Sequence, residues 1–396
     1  MVIFPVGLPD ICSIRCGSGR RCLPAFARVL AWSSMPMKTN SHAICCTLAV
    51  FIFISMAVAG HDGISDDYVP VAPISPAEYQ GWADAYRLRN DAAELVMIPE
   101  IGKIVHLSHV GGANLLHFNK EMPGKVADPD RPDHWHDFGG NWIWPVARPD
   151  WHLFHEDDLK RSLLQDSGPW AGRAWRSADG SLYGLMTQKY GDPLNVEVTR
   201  TIRLDSTQAS ISIRQRIERT GPSDIEVSLL NISRMRDSDF VVMPCDGDSR
   251  TPDESDRLTP VSNLENMVHC DNTIVYDGSV YGEFRIYSDS HRHWIASVSN
   301  GVVMLSRVED RETTNGVYPF NGSRVAMYAD GMFEGVGIGV FGEMRSLDPG
   351  ESIENTLQMD IFSIPSGLGP CAVADKIREF IGEIEAADMS DMGSVE

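Results

Sequence analysis

Positive charge is scarce in this chain: 34 Lys and Arg stand against 55 Asp and Glu, a formal net charge of −21. Nucleic acids and anionic membranes are held by neutralising their phosphates, so a surface this acidic excludes both as partners. Neutral sugars and cations remain admissible. No G-x-S-x-G, P-loop, H-E-x-x-H or G-x-G-x-x-G in a strand-to-helix setting occurs, so the common nucleotide, hydrolase and dinucleotide chemistries have no foothold and no cofactor is expected. Helical periodicity is rare as well. It is found only near residues 77–90 and from about Pro370 to Ala387, where Val373, Ile377, Phe380, Ile381 and Ile384 approach a 3.6 repeat.

Cysteine is thin beyond residue 60, where only Cys245, Cys270 and Cys371 occur, an odd number. Cys245 and Cys270 flank one irregular acidic stretch, which makes them the expected bridge and leaves Cys371 as a buried thiol. Long hydrophobic runs are confined to one place, Ala43–Val58, within MKTNSHAICCTLAVFIFISMAVAG at residues 37–60. A Lys before that run and the Ala57-x-Ala59 site after it have the layout of a secretory signal peptide cleaved after Ala59. The run is short for a bilayer span of roughly 20 residues, and no basic stop-transfer cluster follows it. The start is therefore expected at Met37, with residues 1–36 an upstream extension. The mature chain is expected to be secreted or periplasmic, with no membrane insertion after cleavage. Loss of residues 1–59 removes five basic residues and one acid, so the charge becomes −25.

What is abundant is strand signal. It recurs at 181–189, 194–204, 209–218, 224–235, 281–287, 293–299, 301–308, 324–329, 332–343 and 353–364, and an earlier stretch at 94–119 reads as two strands joined by the Gly111-Gly112 turn. NVEVTRTIRL and ASISIRQRI alternate with period two, so each strand has one buried and one solvated face. The reading is all-β, a large antiparallel sandwich with a C-terminal helix. Residues 60–92 read as a linker and short helix, 93–365 as the sandwich, and 366–396 as the terminal helix and tail. Long irregular insertions at 120–172 and 244–272 are where binding groups are expected on such a scaffold.

The densest cluster of unusual residues is HWHDFGGNWIWPVARPDWHLFHEDD, His134 to Asp158, with Trp135, Trp142, Trp144 and Trp151, and with Trp170 just beyond. Aromatic faces stack on sugar C–H faces, while Asn141 and Arg148 offer hydrogen bonds to hydroxyls. The alternative is that these Trp residues fill the core. His134-x-His136 and His152-x-x-His155 invite a metal reading, but neither is a specific motif and no fourth ligand can be named, so no metal site is assigned. Gly335, Gly337 and Gly339 leave one strand face bare, either for close packing or for backbone approach to a ligand.

ELVMIPEIGKIVHLSHVGGANLLHFN, FGGNWIWPVARPDW, VSLLNISRM and FGEMRSLDPGESIENTLQMDIF, taken in that order, resemble the galactose-mutarotase-like superfamily, in its bacterial exported branch, over residues 93–365. The resemblance implies a β-supersandwich whose concave sheet binds a sugar. In active members a His protonates the ring oxygen and a Glu deprotonates the anomeric hydroxyl. Here the strand that commonly carries His offers Arg234. The Glu position falls near Gly337 or Gly339, with Glu334 and Glu343 to either side. Asn141 matches the Asn of the loop motif, Trp142 stands in place of its Arg, and Arg148 is the substitute. The expected sugar contacts are then Asn141, Trp142, Trp144, Arg148, Trp151 and Arg234. The expected function is carbohydrate binding, with mutarotation of simple monosaccharides weak or absent. The alternative is an aldose epimerase or a relative, drawing its acid/base pair from His136, His152, Glu334 and Glu343. No oligomeric state is implied.

Overall fold

The computed structural model describes residues 70–127, 137–146, 168–245, 267–278, 284–308, 316–329 and 335–392. The expected signal peptide and upstream extension lie outside them. The described chain belongs to one compact unit, Asp66–Glu396. In chain order its strands are β1 (Pro70–Ile74), β2 (Ala77–Tyr79), β3 (Trp82–Arg89), β4 (Ala93–Ile98), β5 (Lys103–His109), β6 (Asn141–Trp144), β7 (Ala171–Ser177), β8 (Leu182–Tyr190), β9 (Val196–Leu204) and β10 (Ser210–Arg219). They continue with β11 (Val227–Met235), β12 (Phe240–Pro244), β13 (Met267–Cys270), β14 (Thr273–Asp277), β15 (Phe284–Ser288), β16 (Trp294–Ser299), β17 (Val302–Val308), β18 (Val325–Ala329), β19 (Val336–Arg345) and β20 (Ser352–Ser363). One long helix, α1 (Pro370–Met392), follows. Among the described residues no helix is long and apolar enough to cross a membrane.

Two antiparallel sheets result. One has eleven strands in the order β1-β7-β8-β9-β10-β20-β17-β16-β12-β14-β13, and the other nine in the order β15-β18-β19-β11-β6-β5-β4-β3-β2. Period-two patterning drives this arrangement. Along β9, Val196, Val198, Ile202 and Leu204 are buried, and along β10 Ile211, Ile213 and Ile217 are. These residues meet Leu95, Leu107, Ile143, Met235 and Ile338 of the other sheet in the main core. Each such side chain contributes about 1.5–3 kcal/mol on burial, so a one-residue slip of either strand is strongly disfavoured.

The expected helix at 77–90 is not present. β2 and β3 form a hairpin, and Gln80 and Gly81 at its tip take φ of 52° and 95°, the two positive values that a tight hairpin turn requires. The three-residue spacing of Trp82, Ala85 and Leu88 resembles a helix face. In the fold Trp82 and Ala85 pack in one cluster and Leu88 in another. β1, inside the expected linker, pairs with β7, so the sandwich begins before residue 93. In the stretch 94–119 the hairpin is β4–β5, turned through Pro99–Gly102. After Gly111-Gly112 the chain makes only isolated bridges, Leu116 to Met235 and Phe118 to Gly139.

The cysteine pairing is also corrected: Cys270 bonds to Cys371, and Cys245 is the buried free thiol. The two faces of the eleven-stranded sheet explain why. Cys245 packs in the core between the sheets, whereas Cys270 packs on the outer face with Val373, Ala374 and Ile377 of α1. The helix thus brings Cys371 to Cys270 on the side that Cys245 cannot reach.

Candidate functional site

The outer face of the nine-stranded sheet is set by the register of β15, β18, β19, β11 and β6. Side chains that alternate with core residues line up there in three rows. The first runs Arg285–Tyr328–Gly337–Arg234, the second Tyr287–Ala326–Gly339–Ile232–Trp142, and the third Phe341–Leu230–Trp144. Lys103 of β5 extends the second row, with its Nζ 3.9 Å from the centroid of the Trp142 ring. Trp142 and Trp144 meet edge to face at 6.0 Å, and the Arg234 guanidinium carbon lies 5.9 Å from the Tyr328 ring centroid.

The two glycines of this face are covered by rings. A Cβ on Gly337 would come within 2.2 Å of the Tyr328 ring, and one on Gly339 within 2.6 Å of the Phe341 ring. Close aromatic packing is therefore what their bare face serves. A carboxylate at either position would displace a ring, so the Glu that the resemblance places there has no equivalent on these two residues. Arg234 and Lys103 are almost fully buried, at 2% and 1% exposure. Among the described residues, Trp142 Nε1 and Arg285 Nε are shielded donors on this face without a hydrogen-bond partner.

Of the expected sugar contacts, the structure brings Trp142, Trp144 and Arg234 together on this face. Arg148, Trp151, His136, His152 and Glu334 lie outside the described residues. Asn141 is corrected: it faces the other way, into the space between the sheets, and is fully buried. Its amide donates to Asn231 Oδ1 at 2.8 Å and Ser233 Oγ at 2.9 Å, and its Oδ1 accepts from Arg200. Burial pushes the Arg200 pKa down to about 9. Trp170 likewise belongs to the main core. Glu343, expected as one member of the acid/base pair, lies away from the Arg234 row. It lies six residues along β19 from Gly337, which is roughly 20 Å at the strand rise. Its Oε2 pairs with Arg345 at 3.0 Å, and it lines a separate cleft of about 1130 Å³ with Ser346, Glu351 and Glu354. The sequence reading missed Lys103, Tyr328 and Arg285. Lys103 carried a signal, as a lone cation inside the apolar run MIPEIGKIVHL.

No family model and no curated protein sequence matches the chain. Solved structures do. A galactose mutarotase-like protein from Clostridium acetobutylicum superposes with a TM-score of 0.50 at 12% identity, covering 74% of this chain and 99% of that one. A candidate mutarotase from Salmonella typhimurium does so at 0.51 and 9% identity, covering 79% and 100%. The fold is that of the galactose mutarotases. On this mutarotase-like sandwich, β1–β3 and α1 are part of the same compact unit as the strands between them.

Proposed function

We propose that the protein is an exported carbohydrate-binding protein that holds a sugar on the outer face of the nine-stranded sheet. The observation that carries this reading is Trp142 Nε1, a shielded indole donor without a partner beside Trp144, on the same sheet face as Tyr328 and Phe341. A sugar presents hydroxyl oxygens to accept from such a donor and apolar C–H faces to lie against the rings. The mutarotase-like fold agrees with a sugar ligand. Calorimetric titration with a panel of mono- and oligosaccharides tests the reading. At least one should bind, and Trp144→Ala should weaken it about tenfold, the loss of one stacked ring. Unchanged affinity in the folded variant would remove this face from the site.

The second reading, an aldose epimerase, is disfavoured by the ring-covered glycines at 337 and 339, where the resemblance places its Glu. Polarimetry on fresh α-glucose and α-galactose should show only the buffer rate. Each missing proton-transfer group forfeits about 10²–10⁴-fold, so mutarotation far above that rate would establish the enzyme. Export is supported by the signal-like residues 37–59 and by the Cys270–Cys371 disulfide, a bond that persists in oxidising compartments. Mass spectrometry of the exported protein should find a mature end near Gly60. Recovery of intact residues 1–59 would contradict it.

A further inference from the structure

Beside the rows of Arg234 and Trp142, a cleft of about 890 Å³ is lined by Tyr79 of β2, His106 of β5, His117, Asn119 and Asp137. Backbone hydrogen bonds tie its lining to the strands of the proposed sugar face. The His117 N–H donates to the Arg234 carbonyl at 2.8 Å, and the Gly140 N–H donates to the His117 carbonyl at 2.8 Å.

Asp137 is the unusual member of this cleft. It is only 6% exposed. Oδ1 accepts the Gly139 N–H at 3.0 Å, while Oδ2 is shielded from solvent with no hydrogen-bond partner. A shielded acceptor left unmade bears its full desolvation penalty, so a fold that retains one has a use for it or fills it on binding. The turn that follows it is tightly placed. Gly139 takes φ +71°, and a Cβ there would lie 2.2 Å from the His117 carbonyl oxygen, so this backbone admits no larger residue without moving.

Among the described residues, the surrounding groups do not supply the missing donor. His106 Nε2 lies 2.9 Å from Ser108 Oγ, and Nδ1 lies 3.4 Å from Tyr79 Oη. Burial holds the His106 imidazole below its ordinary pKa, so it presents a neutral wall at pH 7. Arg236 is engaged with Asp237 at 2.9 Å. A metal ion finds no set of three or more His, Cys, Asp or Glu side chains among the described residues. A hydroxyl donor meets the requirement with one bond and no further ligands.

We propose that this cleft is a subsite of the same sugar site, in which Asp137 Oδ2 accepts a hydrogen bond from a ligand hydroxyl; it rests on the reading of the neighbouring face as sugar-binding. The test is calorimetric titration with glucose, galactose and their di- and trisaccharides, on wild type, Asp137→Asn and Trp144→Ala. Asp137→Asn keeps an oxygen for the Gly139 N–H and turns the other position into a donor that cannot accept. Its affinity should fall tenfold or more with the thermal midpoint retained. Full affinity in Asp137→Asn, with Trp144→Ala still weakened, overturns the subsite alone. A wild type that binds none of these sugars overturns both readings. Should Asp137→Asn fail to fold, wild-type crystals soaked in the tightest probe decide. A ligand oxygen at hydrogen-bond distance from Oδ2 supports the subsite, and a water there, with the sugar elsewhere, overturns it.

Discussion

Replacing both Cys270 and Cys371 with Ser is expected to lower the unfolding free energy by about 2–4 kcal/mol, with the fold retained. The bond joins residues 101 apart in sequence, so reduction frees a long loop in the unfolded chain. For loops of this length the chain-entropy model gives up to about 4.7 kcal/mol, and measured values usually fall below it. The native state should survive because α1 is also held by burial: Val373, Ala374 and Ile377 pack against Val242, Trp294, Val298 and Leu305 on the outer face of the eleven-stranded sheet. Phe380 adds a stacked contact with Phe362, with centroids 3.8 Å apart. Urea unfolding of the double variant, and of wild type with and without reductant, measures the effect. Identical midpoints for all samples would show that the bond does not constrain the chain.

The second large effect is expected at Asn141, with a much smaller one at its partner Arg200. Arg200 of β9 is fully buried between the sheets, and among the described residues no carboxylate partners it; Nη2 donates to Asn141 Oδ1, while Nε and Nη1 are without partners. The chain of amides continues from Asn141 to Asn231, from Asn231 to Gln215 at 3.1 Å, and from Gln215 to Asn355 at 3.2 Å. Every link passes a donor to an acceptor, so the one acceptor reaching the guanidinium is Asn141 Oδ1. Asn141→Ala should therefore cost about 3–5 kcal/mol, because it strands a buried cation and orphans Asn231 and Ser233. Arg200→Met removes the buried charge at similar volume, a gain of about 1–4 kcal/mol where buried ionic groups give way to apolar ones. It also leaves Asn141 Oδ1 without its donor, a cost of about 1–3 kcal/mol, so its net effect should lie within about 2 kcal/mol of zero. Denaturant unfolding of the two variants provides the comparison. A tolerated Asn141→Ala together with a severely destabilised Arg200→Met would mean that the guanidinium holds the sheets together by contacts other than this network.

That network was legible in the sequence more fully than the sugar contact that Asn141 seemed to offer. In NVEVTRTIRL, Arg200 falls in phase with Val196, Val198, Ile202 and Leu204, and in ASISIRQRI Gln215 falls in phase with Ile211 and Ile213. Period two alone put both on the core face. The same rule applied to NWIW puts Asn141 with Ile143 and sets Trp142 and Trp144 opposite. The motif resemblance assigned Asn141 to the sugar, whereas alternation turns it to the core. The strands β8–β11 and β15–β20 were readable because alternation and turn residues agree along them. The hairpin β2–β3 was not, since its turn depends on Gln80 adopting a positive φ, which the residue type does not announce. The partner of Cys270 was hidden for a different reason. It is decided by which face α1 covers, a tertiary fact that spacing along the chain does not carry.

The central claim, a sugar held over Trp142 on the nine-stranded sheet, is most directly tested by a crystal structure of the mature chain soaked in the tightest-binding member of the glycan panel. The account predicts a sugar ring against Trp144 or Tyr328, with one of its oxygens at hydrogen-bond distance, about 2.7–3.2 Å, from Trp142 Nε1. A sugar found instead in the cleft beside Glu343, or on the eleven-stranded sheet, would contradict it.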